Sequence, residues 1–186
     1  MGSRYRQRYY QEWHFEREQG VVNTDQEWWV DIPKPIQAPR PGLYWAIEIH
    51  QIEYKIDPSY VGITEAVLYR TQHVSLSTSP RTGKLPFITG PADPDNIWFL
   101  HRHLHSPLLS LLSATDIVEH TRRKDLARYT DDKGYGKLLI GDHLYVQLST
   151  ASCASVTKLQ FAIEFTWTQV GCQELLGVYQ GRLNEA

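Results

Sequence analysis

At 186 residues, with 41% hydrophobic and 22% charged, the chain has the make-up of one folded domain and excludes a disordered one. A formal net charge of −2 excludes a global positive field for nucleic acid, so any such contact falls to local patches. Two cysteines, Cys153 and Cys172, exclude a disulfide framework and a four-thiolate zinc site, and no run reaches the roughly 18 to 20 apolar residues that span a bilayer. Both cysteines are expected to be buried small hydrophobes. With 6 Trp, 11 Tyr and few helix-forming runs, the composition leans towards sheet.

Residues 1–20 open the chain with Arg4, Arg6 and Arg8 alternating with Tyr5, Gln7 and Tyr9, balanced by Glu12, Glu16 and Glu18. Trp28, Trp29 and Val30 suit a short edge strand. Residues 31–42 hold four prolines between Pro33 and Pro41, which forbids helix and central strand and favours an extended strap across a surface. Residues 1–42 are therefore expected to form an arm and strap, and residues 43–186 a β-sandwich that stays folded without them.

The strongest strand pattern is 43–56. Leu43, Trp45, Ile47 and Ile49 share one face, and at Gln51 the alternation slips to Ile52, Tyr54 and Ile56. Such a slip predicts a bulge or a bend, the latter a means for one strand to serve two packed sheets. Further strands are predicted at 66–77, 97–105, 117–121, 138–150, 159–170 and 175–179. A turn at Gly141 and Asp142 divides 138–150, and 106–115 reads as helix or loop. About eight strands separated by turn clusters, with no βαβ rhythm, predict an all-β protein: a two-sheet β-sandwich or single jelly roll with an extended N-terminal arm.

His101, His103 and His105 place three imidazoles on one strand face, with about 7 Å between successive Cα atoms. Cupin-like metal enzymes carry such an H-x-H, but they add a carboxylate three or four residues on. Here the next acid after His105 is Asp116. A polar face at a lumen or subunit contact is the favoured reading, and neither metal ligands nor a cofactor are assigned. No G-x-S-x-G elbow, phosphate loop or H-E-x-x-H is present, so no catalytic residue is assigned. Residues 133–137 read as a hairpin turn. Two alternatives stand: a metal-binding enzyme using His101, His103 and His105, or a ligand-binding sandwich module using Trp98 or Trp167.

Two basic clusters are candidate nucleic-acid contacts: Arg4, Arg6 and Arg8 among tyrosines, and Arg122, Arg123 and Lys124 in a short segment with Arg128. Candidate subunit contacts are Tyr5, Tyr9, Tyr10, Trp13, Phe15, Trp28, Trp29, Pro33 and Pro35, because aromatic residues and arginine concentrate at protein interfaces.

Residues 126–148 (LARYTDDKGYGKLLIGDHLYVQL) resemble an acidic, glycine-turned hairpin of small capsid proteins known mainly from environmental viral sequences. In those, a D-x-L/I-Y-x-x-I/L strand follows, and a long strand ends in a V-x-x-x-E-L/Y-x-G tail. The matching residues are Asp142, Leu144, Tyr145 and Leu148, then Val170, Glu174, Leu175 and Gly177, with Val178 and Gln180 after them. Residues 46–50 resemble another strand of the same proteins. The likeness covers about half the chain in scattered pieces. It implies a single jelly roll that self-assembles with copies of itself into a virion shell inside a host cell, with packaged nucleic acid and without enzymatic activity. The chain departs from many such proteins in lacking a long, strongly basic N-terminal arm.

Overall fold

The computed structural model describes residues 5–6, 10–57, 69–82, 95–105, 118–123, 136–153, 155–173 and 176. The helix-or-loop segment 106–115 and most of the predicted turn segments 90–96 and 130–136 lie outside them. Ten strands are described: β1 (Tyr5–Arg6), β2 (Gln11–Glu18), β3 (Asp25–Asp31), β4 (Leu43–Asp57), β5 (Tyr69–Ser77), β6 (Asn96–His105), β7 (Val118–Arg123), β8 (Lys137–Leu139), β9 (His143–Ala151) and β10 (Lys158–Gly171).

Their order defines the fold. In the first sheet β10 lies between β4 and an edge made of β2 followed by β1, and β8 closes the far side of β4. The second sheet runs β3-β9-β5-β6-β7. Without β1 and β7, each sheet has four strands, and the chain winds between the sheets from the β2–β3 pair to the β9–β10 pair lying beside it. That interleaving is a jelly roll, with all pairings antiparallel.

Alternation in the sequence sets which side of each strand is buried. Ile47, Ile49, Ile52 and Ile56 of β4, Leu159, Phe161, Ile163 and Phe165 of β10, Val74 and Leu76 of β5, Trp98 and Leu100 of β6, and Leu144, Val146 and Leu148 of β9 form one core between the sheets. Trp98 sits at its centre, edge-on to Phe161 at 5.5 Å and tilted against Tyr54 at 4.7 Å.

The predicted slip in β4 is a bulge. Glu164 pairs with Gln51 and Phe165 with Ile49, so His50 is the extra residue. The bulge bends β4 within one sheet. β4 pairs only with β10 and β8, which corrects the expectation that it might serve both sheets. His50 is buried, with Nε2 3.0 Å from Thr166 Oγ1 and the Tyr10 ring edge-on at 4.9 Å. Gly136 packs against this bulge so closely that a Cβ there would lie 2.4 Å from the Ile49 carbonyl oxygen. Gly136→Ala is expected to destabilise the fold by about 1–3 kcal/mol, because backbone, unlike a flexible side-chain tip, has little room to yield. Equilibrium urea unfolding checks it; an unchanged midpoint contradicts the contact.

The Gly141 turn falls where the sequence places it, with Gly141 at φ 141°. The strands on either side of it belong to different sheets. The last predicted strand, 175–179, is corrected where it is described: Cys172, Gln173 and Leu176 are helical. The cysteine expectation is corrected too, since Cys153 is half-buried and Cys172 exposed.

The division at residue 42 does not follow the layers. β2 pairs with β10 from Lys158 to Phe165, and β3 pairs with β9 from His143 to Ser149. Val30 and Ile32 belong to the core, with Trp13, Phe15 and Trp28 packed against it. The turn between β2 and β3 is locked beside the turn between β9 and β10. Gln19, buried, donates to Thr150 Oγ1 at 2.7 Å and to the Thr24 carbonyl at 3.0 Å, and it accepts from the Thr157 backbone N–H at 3.2 Å. Asn23, in the left-handed conformation at φ 59°, exchanges two hydrogen bonds with the Cys153 backbone. The reason is physical: only half of β2 is apolar, but that half faces Phe161 and Ile163, and β10 offers it an open edge.

Candidate functional site

The strap after β3 crosses the surface in extended form, as the prolines predict, but it is tied to its own sandwich. The Trp167 indole N–H donates to the Pro33 carbonyl at 3.1 Å, and the Trp45 indole N–H to the Gln37 carbonyl at 2.8 Å. The Ile32 N–H donates to the Asp142 carbonyl at 2.9 Å, and Lys34 pairs with the Asp142 carboxylate. The hydrogen bond and charge of Lys34 hold the Asp142 carboxyl below its ordinary range.

These contacts sort the expected subunit-contact residues. Trp13, Phe15 and Trp28 turn to the protein's own core, a correction caused by the β2–β10 and β3–β9 pairings. Pro33 and Pro35 are half-buried on the strap. Tyr10 is exposed and packs on His50. Trp29 is 62% exposed on β3, an edge strand, opposite Tyr145 of β9. Ile36 of the strap is fully exposed and Tyr44 half-exposed. Arg17 of β2 reaches across to the Trp29 carbonyl at 2.9 Å, joining the edges of the two sheets beneath the exposed indole. Tyr9 lies outside the described residues, and Tyr5 is placed by its backbone in β1.

The basic candidates divide in the same way. Arg6 is a β1 position; Arg122 and Arg123 end β7, the other edge of the second sheet; Arg4, Arg8 and Lys124 lie outside the described residues.

A feature that the sequence reading treated only as charge balance is the outer face of the first sheet. Glu12, His14, Glu16 and Glu18 of β2 alternate outward beside Gln160, Ala162 and Glu164 of β10 and Glu53 and Lys55 of β4. Ala162, small among long neighbours, opens a shallow groove of 560 Å³ lined by His14, Glu16, Glu53, Lys55 and Gln160. Hydrogen bonds from Gln160 and Lys158, with the Lys158 charge, lower the Glu16 pKa. This acidic surface disfavours phosphate, so it is a poor place for nucleic acid.

His101, His103 and His105 lie on β6 as expected. The His101 ring meets His73 of β5, with centroids 3.7 Å apart and planes at 63°. Among the described side chains, no three groups are placed to hold a metal ion. Trp98 is 2% exposed, and Trp167 packs on Phe165 with its N–H on the strap, so neither offers the free indole face that a ligand-binding module would use. Among the described residues, no helix is long and apolar enough to cross a membrane.

Strand order and exposed edges define the class: an all-β, single jelly-roll sandwich. No protein-family model and no curated protein matches the chain. Solved structures similar to it are polyomavirus VP1 proteins. New Jersey polyomavirus VP1 matches at 12% identity over 88% of this chain and 100% of that chain, with a TM-score of 0.44. VP1 of trichodysplasia spinulosa-associated polyomavirus, in complex with GM1 oligosaccharide, matches at 10% identity over 87% and 95%, with a TM-score of 0.45. Merkel cell polyomavirus VP1 matches at 8% identity over 89% and 96%, with a TM-score of 0.42.

Proposed function

We propose that this chain is a viral coat protein that self-assembles through repeated contacts between copies into a closed shell. The single observation that carries the reading is Trp29: a large indole, 62% exposed, on an open edge strand of a jelly roll. A bare edge with an aromatic anchor is a surface for a second copy, and in a closed assembly symmetry repeats every such contact. Ile36 and Tyr44 add exposed apolar area, and the likeness of residues 126–148 to small capsid proteins points the same way.

Arg122 and Arg123, at the opposite edge of the second sheet, are the proposed contact for packaged nucleic acid, with Lys124 following and Arg4, Arg6 and Arg8 as the second cluster. The shell's place is then the virion, filled in the host cell. Replacing Trp29 and Ile36 together by lysine is expected to abolish particles while leaving the fold intact, since both side chains are exposed on the protomer. Light scattering and circular dichroism on the double variant test it. Particles of unchanged size would remove this edge from the mechanism.

A further inference from the structure

The strand register gathers histidines that are far apart in sequence. Five of the eight fall on the outer face of the second sheet: His73 in β5, His101, His103 and His105 in β6, and His120 in β7. His101 stands opposite His73 on one side and Arg122 on the other; His103 stands opposite Thr71 and His120. Opposed residues in antiparallel strands have Cα atoms about 4.5–5.5 Å apart, and same-face neighbours along a strand about 7 Å. His101, His103 and His120 thus form a compact triangle from two strands, supplying the third donor that the sequence alone does not reveal.

We propose that this face is a site for a divalent transition-metal ion of the zinc class, held by His101 and His103 of β6 with His120 of β7. His103 and His120 enter through their register positions. Three neutral imidazoles with an open fourth position are a recognised zinc donor set, with Zn–N bonds of about 2.0–2.1 Å. No carboxylate occupies the register positions around the triangle: Thr71, His73, Ser75, Phe99 and Ser149 are all uncharged or imidazole positions. The nearest acid on this face by register, Asp25 of β3, lies beyond Ser149. An all-imidazole set suits zinc, copper, nickel or cobalt and is wrong for calcium or magnesium.

His73 acts as a positioning residue, because its ring rests on that of His101 and limits how it turns. Arg122, a fixed positive charge opposite His101, favours placement of the ion towards the His103–His120 pair.

The full chain titrated with cobalt(II) is expected to develop a saturable visible absorption, and with zinc(II) to retain one equivalent per chain by elemental analysis after gel filtration. Binding falls as pH drops through about 6.5, where protons compete for the imidazoles. His103→Gln and His120→Gln are each expected to weaken zinc binding about tenfold or more, while His14→Gln, on the other sheet, leaves it unchanged. Circular dichroism checks the fold of each variant; if one unfolds, the cobalt titration of the unsubstituted chain decides alone. No saturable signal, or binding indifferent to both substitutions, overturns the site. Metal is counted per chain whatever the particle size, so this outcome is separate from that of the shell reading.

Discussion

A chain lacking residues 1–42 is expected not to fold. The deletion removes β2 from the edge of β10 and β3 from the edge of β9, leaving both partner strands with unpaired backbone. It also strips Val30 and Ile32 from the core and takes away Trp13, Phe15 and Trp28, which pack against it. At roughly 1.5–3 kcal/mol for each well-buried apolar side chain, the loss is on the order of 10 kcal/mol. A domain of this kind holds only about 5–15 kcal/mol in all. Gln19 goes as well, leaving the buried Thr150 and Thr157 without its hydrogen bonds. Far-ultraviolet circular dichroism with thermal melting checks this: residues 43–186 alone should show no cooperative transition, and a sharp one would restore the first segment to the status of an arm.

Trp98→Ala is expected to be the most damaging single substitution in the core. The side chain is buried between the sheets and touches Phe161 from one side and Tyr54 from another. Large aromatic truncations cost about 3–5 kcal/mol, because the surroundings close only partly over the cavity. In a domain of this length that corresponds to a melting temperature lower by roughly 6–20 °C. Calorimetry measures it, and a drop of only a degree or two would place Trp98 at a surface.

Much of the fold was legible because its signals are local. The alternation through 43–56 and its slip at Gln51 gave β4 and its bulge, and Gly141 gave the β8–β9 turn. The β2 pattern was equally local: Trp13 and Phe15 face inward while Glu12, His14, Glu16 and Glu18 face outward. The arginine–tyrosine run before it and the proline strap after it drew that segment into the reading of an arm.

Cross-strand register is another matter. Nothing in the spacing of His73, His101 and His120 says that they share a face, because register arises from the whole sheet. The groove at Ala162 likewise exists only once three strands lie side by side. The segment after β10 carried no alternation strong enough to separate strand from helix, and Leu176 is helical.

Of the candidate contact residues, exposure was the part that sequence could not assign. Aromatic side chains are the common currency of cores and interfaces alike. Trp28 and Trp29 are neighbours of the same type, yet strand geometry sends them to opposite faces of β3: Trp28 packs inward and Trp29 stands in solvent.

The size of the purified full-length protein bears most directly on the proposed role. Multi-angle light scattering, with electron microscopy of the same sample, should find closed shells of many copies. A monodisperse 21.6 kDa protomer that stays single across salt, pH and concentration would contradict it.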